Sequence, residues 1–309
     1  DEVSMLSGDT LAAAEEIARR SRDAMDLPWG GLRVIAVGDF AQLPPIQNGY
    51  GSQKAWAFLD PVWKKTGFIN CLLKQIHRSQ HEDFLKVLGS VRIGEVNGRV
   101  RKFLSSRELD VDEELAATRL FPRRLQTEKF NKQKLAQIDS PLMRFQSEYG
   151  GRARDVEKLK KQSPVPEVIE LKLGALIMLR QNDPKQRWVN GSLGYVEEFL
   201  DDQLLIRLLS NDRIVAVEKA TFSQLNADGE VVAAVINYPV SLAYAATIHK
   251  AQGLTLDAAV VDVSSLWEPG QAYVALSRVT HPEGLMINDW DEGSIKADPV
   301  VCQFYDSIN

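Results

Sequence analysis

Hydrophobic and polar positions change rhythm twice along this chain. At first, short unbroken apolar runs alternate with stretches of helical spacing. From 168 to 221, apolar and polar residues alternate in short segments cut by turns. After Tyr238, Pro239 and Val240 the first texture returns. The pattern predicts an α/β region, a β insert, and a second α/β region. Residues 34–37 (VIAV) form an apolar run of the kind buried on both faces of a parallel sheet. Similar runs predict strands at 70–74, at 116–121 before Pro122, at 258–263 and at 285–287. Asp9 and Thr10 can cap a helix running to about Arg22 through Leu11, Ala14, Ile17 and Ala18, ended by the break at 27–31. Further helices are predicted at 83–91, 125–138, 271–277 and 300–308. The aromatic stretch 56–63 is expected to pack a helix end against the sheet.

Residues 105–114 read as a charged, loop-like interval, and 144–166 as a polar interval holding Lys158, Lys160 and Lys161. The β region runs through VIELKL, ALIML, GYVEEFL, LLIRLL and RIVAVEKATF, with turns at Gly174, at Asn190 and Gly191, and at Ser210, Asn211 and Asp212. Short strands so divided suggest a small barrel inserted in the larger domain.

Composition changes this picture little. The 309 residues leave room for two domains, or one with a large insertion. With 44% hydrophobic and 26% charged residues, the chain can bury ordinary cores. No apolar run approaches membrane-spanning length, and the start has no signal-peptide pattern. Cys71 and Cys302 form no metal-spaced or redox motif, so an intracellular, reduced protein is expected. A net charge of −5 excludes a protein that coats nucleic acid; any such site must be a local groove on an acidic background.

Candidate chemistry lies at five places. Asp1 and Glu2 can hold Mg2+ and orient water, or be an ordinary capping pair. After the apolar run come Gly38, Asp39, Phe40, Ala41 and Gln42, then Leu43 and the stiffening Pro44 and Pro45. Gln42 on a stiff loop after a parallel strand sits where open α/β sheets place ligand chemistry; its amide offers a donor and an acceptor. Otherwise it is a solvent-exposed loop residue. Segment 243–257 interrupts an apolar stretch with Thr247, His249, Lys250, Gln252 and Thr255, and Gly253 allows close backbone approach. Such a turn can touch nucleic acid on one side and a nucleotide on the other; a capped helix start is the plainer alternative. Arg278 closes GQAYVALSR at a helix end, where it can project into a cleft or simply lie on the surface, and Arg78 of LKQIHRS is read the same way.

Taken in order, Asp1 and Glu2, GDFAQLPP, IHR, TIHKAQGLT and AYVALSR resemble motifs II to VI of the superfamily 1B DNA helicases. The nearest match is the Pif family, with RecD-like and Dda-like enzymes as neighbours. Residues 9–39 also resemble the Pif signature region, so the likeness spans nearly the whole chain. It implies an α/β fold of two RecA-like P-loop NTPase lobes, the first incomplete at 1–74 and the second at 75–171 and 241–309. An SH3-like barrel at 172–240 helps clamp the strand.

The implied activity is ATP-driven 5′-to-3′ translocation on DNA and unwinding, with ATP and Mg2+ as cofactors. Asp1 holds the metal, Glu2 activates water, and Gln42 senses the γ-phosphate. Arg78 and Arg278 are arginine fingers, and Gly38, Asp39, Gln252 and Gly253 lie on the nucleotide side. Thr247, His249 and Lys250 contact single-stranded DNA or couple it to ATP. Implied partners are single-stranded DNA, single-strand/duplex junctions and an upstream part of the first lobe, with no membrane.

One departure is large: no GxxxxGK[ST] sequence and no Gly-Lys pair occurs anywhere. That loop supplies the amides and the lysine that cradle phosphates, and in the family it lies upstream of the acidic pair. The chain is therefore expected to be the C-terminal portion of a helicase, inactive toward ATP by itself. The alternative is a non-catalytic DNA-binding or protein-interaction module; the two arginines and the Gln loop favour the enzyme.

Overall fold

Residues 1–46, 54–109, 117–226, 228–256 and 258–308 are described by the computed structural model. They fall into two units, Asp1–Pro122 with Ile248–Asn309, and Arg123–Thr247. The first unit opens with α1 (Gly8–Ser21), followed by α2 (Pro61–Thr66), α3 (Glu82–Arg92), α4 (Gly98–Ser105) and β1 (Thr118–Phe121). Ser7, not Asp9 or Thr10, caps α1: its backbone is extended and its Oγ accepts the Thr10 N–H at 3.3 Å. The inward stripe runs through the buried Leu11 and Glu15 to the partly buried Ala18, whereas Ala14 and Ile17 face solvent. Glu15 can be buried because it accepts the Trp29 N–H at 2.9 Å and Arg19 Nε at 2.6 Å.

The second unit holds α5 (Arg124–Gln137), β2 (Met143–Gln146), β3 (Glu148–Gly151), α6 (Ala153–Gln162), β4 (Val168–Leu171) and β5 (Leu176–Leu179). There follow β6 (Leu193–Phe199), β7 (Gln203–Leu208), β8 (Ile214–Glu218), β9 (Ala220–Leu225), β10 (Val231–Asn237), β11 (Val240–Leu242) and β12 (Ala245–Thr247). The first unit then resumes with α7 (Ile248–Ala251), β13 (Ala259–Val263), α8 (Gln271–Leu276), β14 (Leu285–Trp290) and α9 (Pro299–Ile308).

In the first unit β1, β13 and β14 lie side by side and parallel, Leu120 opposite Val261 and Val261 opposite Ile287. All three side chains are buried, as the apolar runs require. Ala116 of the first run and 110–114 of the charged interval lie outside the described residues.

Two expected strands do not form. Residues 34–37 and 70–74 are in no strand, and Ile35 is 72%, Val37 49% and Leu73 93% exposed. A strand apolar on both faces needs strands beside it and helices over it. Among the described residues neither segment has a strand beside it. Val37 O accepts the Val3 N–H at 3.0 Å, a single long-range contact and not a ladder.

The aromatic stretch also packs differently from expectation. Trp56, Phe58 and Trp63 surround Phe40, which meets each edge-on at 4.9–5.9 Å, and Phe304 of α9 closes the cluster. Its partners are the Gln loop and the last helix, because edge-to-face rings complement one another better than a flat sheet face would.

The second unit is antiparallel. One sheet has the order β11-β5-β6-β7-β8, a second β3-β10-β9, and β2 pairs with β4. Leu204, Ile206 and Leu208 of β7 alternate inward onto Leu171, Ile177, Leu179, Val196 and Tyr238. The polar interval 144–166 carries regular structure. β2 and β3 join these sheets, and α6 buries Leu159 against Val165 and Val235. Their polarity hid them: β2 and β3 are largely exposed, and Lys160 of α6 lies 5.1 Å over the Tyr149 ring, 3.3 Å from Glu167. No helix among the described residues is long and apolar enough to cross a membrane.

Asp183, buried in this unit, is clamped by Arg187: Nε and Nη2 donate at 2.8 and 2.9 Å, and the backbone N–H adds 3.0 Å. Arg187 pulls the carboxyl down to about 2. A depressed carboxyl stabilises the fold above its unfolded value, about 3.9, and that stability is lost as pH falls toward the folded value. The melting temperature should therefore drop further between about pH 4 and pH 2 in the parent than in Asp183→Asn. Equal drops would show that the clamp does not couple to folding.

Candidate active site

Chemistry in the first unit begins where the chain leaves Val37. Gly38 passes so close to the start of the chain that a Cβ there would lie 2.8 Å from Val3 N. Asp39 is then fixed from several sides. It accepts Arg92 Nη2 at 2.8 Å and Nε at 3.3 Å, the Tyr305 hydroxyl at 2.8 Å and the Ala41 N–H at 3.1 Å. Burial opposes its charge, but Arg92 and Tyr305 more than offset this and hold the carboxyl below its ordinary range. The Arg92 guanidinium also lies 4.4 Å over the Tyr305 ring. Gln42 N–H donates to Asp39 O at 3.0 Å, closing a tight turn before the buried Leu43, Pro44 and Pro45. Gly270, at φ +81°, backs this turn, since a Cβ on it would sit 2.2 Å from Gln42 O. Gln42 Oε1 is buried without a hydrogen-bond partner.

The two arginines meet on the far end of α8. Arg278 is 2% exposed and curls back from the helix end. Its Nε donates to Val274 O at 2.7 Å, Nη2 to Ser277 Oγ at 2.7 Å, and Nη1 to Leu254 O at 3.4 Å and Ala251 O at 3.5 Å. Burial, then the neighbouring charge of Arg78, push its guanidinium down to about 10. Arg78 Nη1 donates to Ser277 O at 2.9 Å.

Both arginines line a cavity of about 170 Å3 with Gln42, Arg92 and Tyr273, and no carboxylate is among its lining residues. Asp39 pairs with Arg92, and Glu2 and Asp39 act on Arg278 only from outside the lining and less strongly than burial and Arg78 do. Such a cavity attracts anions. A larger one, about 380 Å3, shares Gln42 and Arg92 but contains neither Arg78 nor Arg278.

Of the acidic pair, Glu2 meets the 243–257 segment. Glu2 Oε2 accepts Gln252 Nε2 at 2.7 Å, and Gly253 stands beside Glu2 Oε1. Glu2 has left-handed backbone, φ 54° and ψ 42°, a conformation uncommon outside glycine. Asp1 is exposed, and its Oδ1 accepts the Glu2 N–H at 2.9 Å. Gln252 Oε1, like that of Gln42, is buried without a partner.

His249 is half-buried in α7, and desolvation, partly opposed by Glu268, lowers its pKa. Lys250 beside it is exposed. Thr247 is buried at the end of β12, in the second unit.

The structure thus gathers Glu2 with Gln252 and Gly253, and Gln42 with Arg78 and Arg278. Sequence reasoning missed Arg92, Tyr305 and Gly270. Gly270 heads the GQAYVALSR motif and was open to notice; Arg92 and Tyr305 carry no local signal.

The parallel sheet and the arginine-lined cavity fit the RecA-like class of α/β folds. No family model matches the chain. The ATP-dependent DNA helicase Pif1 of Bdellovibrio bacteriovorus is 48% identical over 305 residues, covering 99% of this chain and 69% of that protein. The crystal structure of Pif1 helicase from Candida albicans matches with a TM-score of 0.85 and 31% identity, over 100% of this chain and 76% of that one. Bacteroides Pif1 bound to ssDNA matches at 0.75 and 27%, over 99% and 74%. The chain belongs to the Pif1 family of ATP-dependent DNA helicases. It spans about half the length of the fungal and vertebrate relatives it matches.

Proposed function

We propose that this chain carries the arginine fingers, the γ-phosphate sensor and part of the DNA path of an ATP-dependent 5′-to-3′ DNA helicase. The observation that carries this is the acid-free cavity where Gln42, Arg78 and Arg278 meet. Two guanidinium groups beside an amide suit a transferring phosphoryl group, whose catalysis is positioning plus charge stabilisation. The Gln42 amide reads the γ-phosphate, and Glu2, steadied by Gln252, orients and deprotonates the attacking water. Arg78 and Arg278 offset the charge that develops on the phosphoryl oxygens; for Arg278 this means exchanging carbonyl bonds for phosphate ones. Gly38 and Asp39 set the loop, and Gly253 allows close approach on the nucleotide side.

The donor set fits ATP and Mg2+. Gln42 and Gln252 keep buried acceptors without partners, and Asp1 offers an exposed hard carboxylate. Asp1 would hold Mg2+, which would supply charge neutralisation at the phosphates.

Residues 1–74 belong, in this view, to a first RecA-like lobe, and 75–171 with 241–309 to a second. Residues 172–240 form an SH3-like barrel, which the antiparallel sheets of the second unit support. The protein works inside the cell on single-stranded DNA and single-strand/duplex junctions, with an upstream part of the first lobe as partner. Thr247, His249 and Lys250 contact the strand. His249 serves as a hydrogen-bonding group, and Lys250 supplies the charge.

Anisotropy titration of residues 1–309 with labelled single-stranded DNA tests this. A phosphate neutralised on a single strand contributes about −0.7 to the log–log salt slope, so about two to four contacts weaken binding roughly 7- to 50-fold between about 50 and 200 mM salt. Lys250→Ala should flatten the slope by about one contact's worth. Absence of binding at low salt, or an unchanged slope, removes this segment from the DNA path.

A further inference from the structure

Two of the four histidines of the chain, neither of them lining the cavity described above, face one another. His81 sits at the start of α3, its carbonyl accepting the Leu85 N–H at 3.0 Å. His281 opens the turn at Pro282–Gly284, its carbonyl accepting the Gly284 N–H at 3.1 Å. Both backbones are therefore anchored, and the imidazoles are brought together from positions 200 residues apart, with His81 Nε2 3.1 Å from His281 Nδ1. The Glu283 carboxylate completes the group: one ligand atom from each of the three residues lies within 4.8 Å of the others, and all three are exposed.

We propose that His81, His281 and Glu283 form a binding site for a transition-metal dication of the Zn2+ type. Two nitrogens on one tetrahedral Zn2+ stand about 3.3 Å apart, given Zn–N bonds of about 2.0–2.1 Å. The observed separation is close to that, so only small ring rotations separate a histidine–histidine hydrogen bond from joint ligation. The two-imidazole, one-carboxylate set suits Zn2+, Ni2+ or Cu2+, whereas Mg2+ and Ca2+ prefer oxygen throughout. Three protein ligands leave a position for water, as solvent exposure of all three allows. Glu283 has one competitor, Arg107, whose Nη2 is 3.9 Å away.

The site has a structural consequence independent of the helicase reading. His81 lies three residues after Arg78, and His281 three after Arg278. A metal here would fasten the segment carrying Arg78 to the segment after α8, reinforcing the Arg78–Ser277 bond.

The test is calorimetric titration of the metal-free chain with ZnCl2, beside His81→Ala, His281→Ala, Glu283→Gln and the double histidine variant. The double variant retains Cys71 and Cys302, so it measures any binding they contribute. One equivalent should bind the parent, and each single histidine variant should bind on the order of tenfold or more weakly, since even losing a supporting residue typically weakens metal sites 10- to 100-fold. MgCl2 should not compete. Zn2+ should also slow amide exchange across 78–82 in the parent and not in the double variant. Equal Zn2+ binding in the parent and the double variant, or no binding to the parent, overturns the assignment.

Discussion

Arg278→Ala, in a chain supplied with a phosphate-binding segment, is expected to lower kcat for DNA-stimulated ATP hydrolysis by on the order of 10³–10⁵. Single-stranded DNA affinity should stay largely intact. The size follows from position: Arg278 is buried, shares its cavity with Arg78 and Gln42, and meets no carboxylate there. Its hydrogen bonds run to three carbonyls and one hydroxyl, so truncation leaves neutral acceptors beside the cavity rather than an unpaired buried charge. Lysine should not rescue the rate, because a point charge cannot reproduce the planar fork of donors. Parallel loss of DNA binding and hydrolysis would instead mark Arg278 as part of the DNA path.

Gly270→Ala is expected to destabilise the first unit by roughly 2–5 kcal/mol, combining the left-handed penalty with overpacking. The new Cβ would stand 2.2 Å from Gln42 O and 2.7 Å from Ala41 O, both backbone atoms that cannot swing aside. Relief requires the Gln42 turn to move, so hydrolysis should fall along with the melting temperature. Gly89→Ala on α3, where an added Cβ meets nothing within 4 Å, is the control and should stabilise slightly. If Gly270→Ala melts with the parent, the close packing of Gly270 on the Gln loop is wrong.

Apolar runs become strands where, among the described residues, other strands lie beside them. VIAV at 34–37 and the run at 258–263 look alike, yet only the second becomes a strand, because β1 and β14 flank it. Periodicity reports that a segment wants burial; it is silent on what would cover it. Helix α1 was legible to within a residue or two, but its cap and inward stripe were not, because Glu15 is drawn inside by a partner 14 residues away. The polar stretch at 144–166 hid two strands and a helix whose apolar contacts come from β10.

At the site, Gln42, Arg78 and Arg278 could be named through motif order. The Arg92–Asp39–Tyr305 network could not: its members are 53 and 266 residues apart, and each side chain alone looks ordinary. Thr247, His249 and Lys250 could be named as a motif, but the lowered pKa of His249 comes from burial that only the fold supplies.

The most direct measurement compares DNA-stimulated ATPase rates of residues 1–309 alone and of the same chain extended by the N-terminal segment of its Bdellovibrio relative. The chain alone has no GxxxxGK[ST] loop to cradle phosphates, so it should stay at background with or without single-stranded DNA. The extended chain should hydrolyse ATP and be stimulated by the strand. Stimulated hydrolysis by residues 1–309 alone, abolished by Arg278→Ala, would contradict the division of labour between the phosphate loop and the arginine-lined cavity.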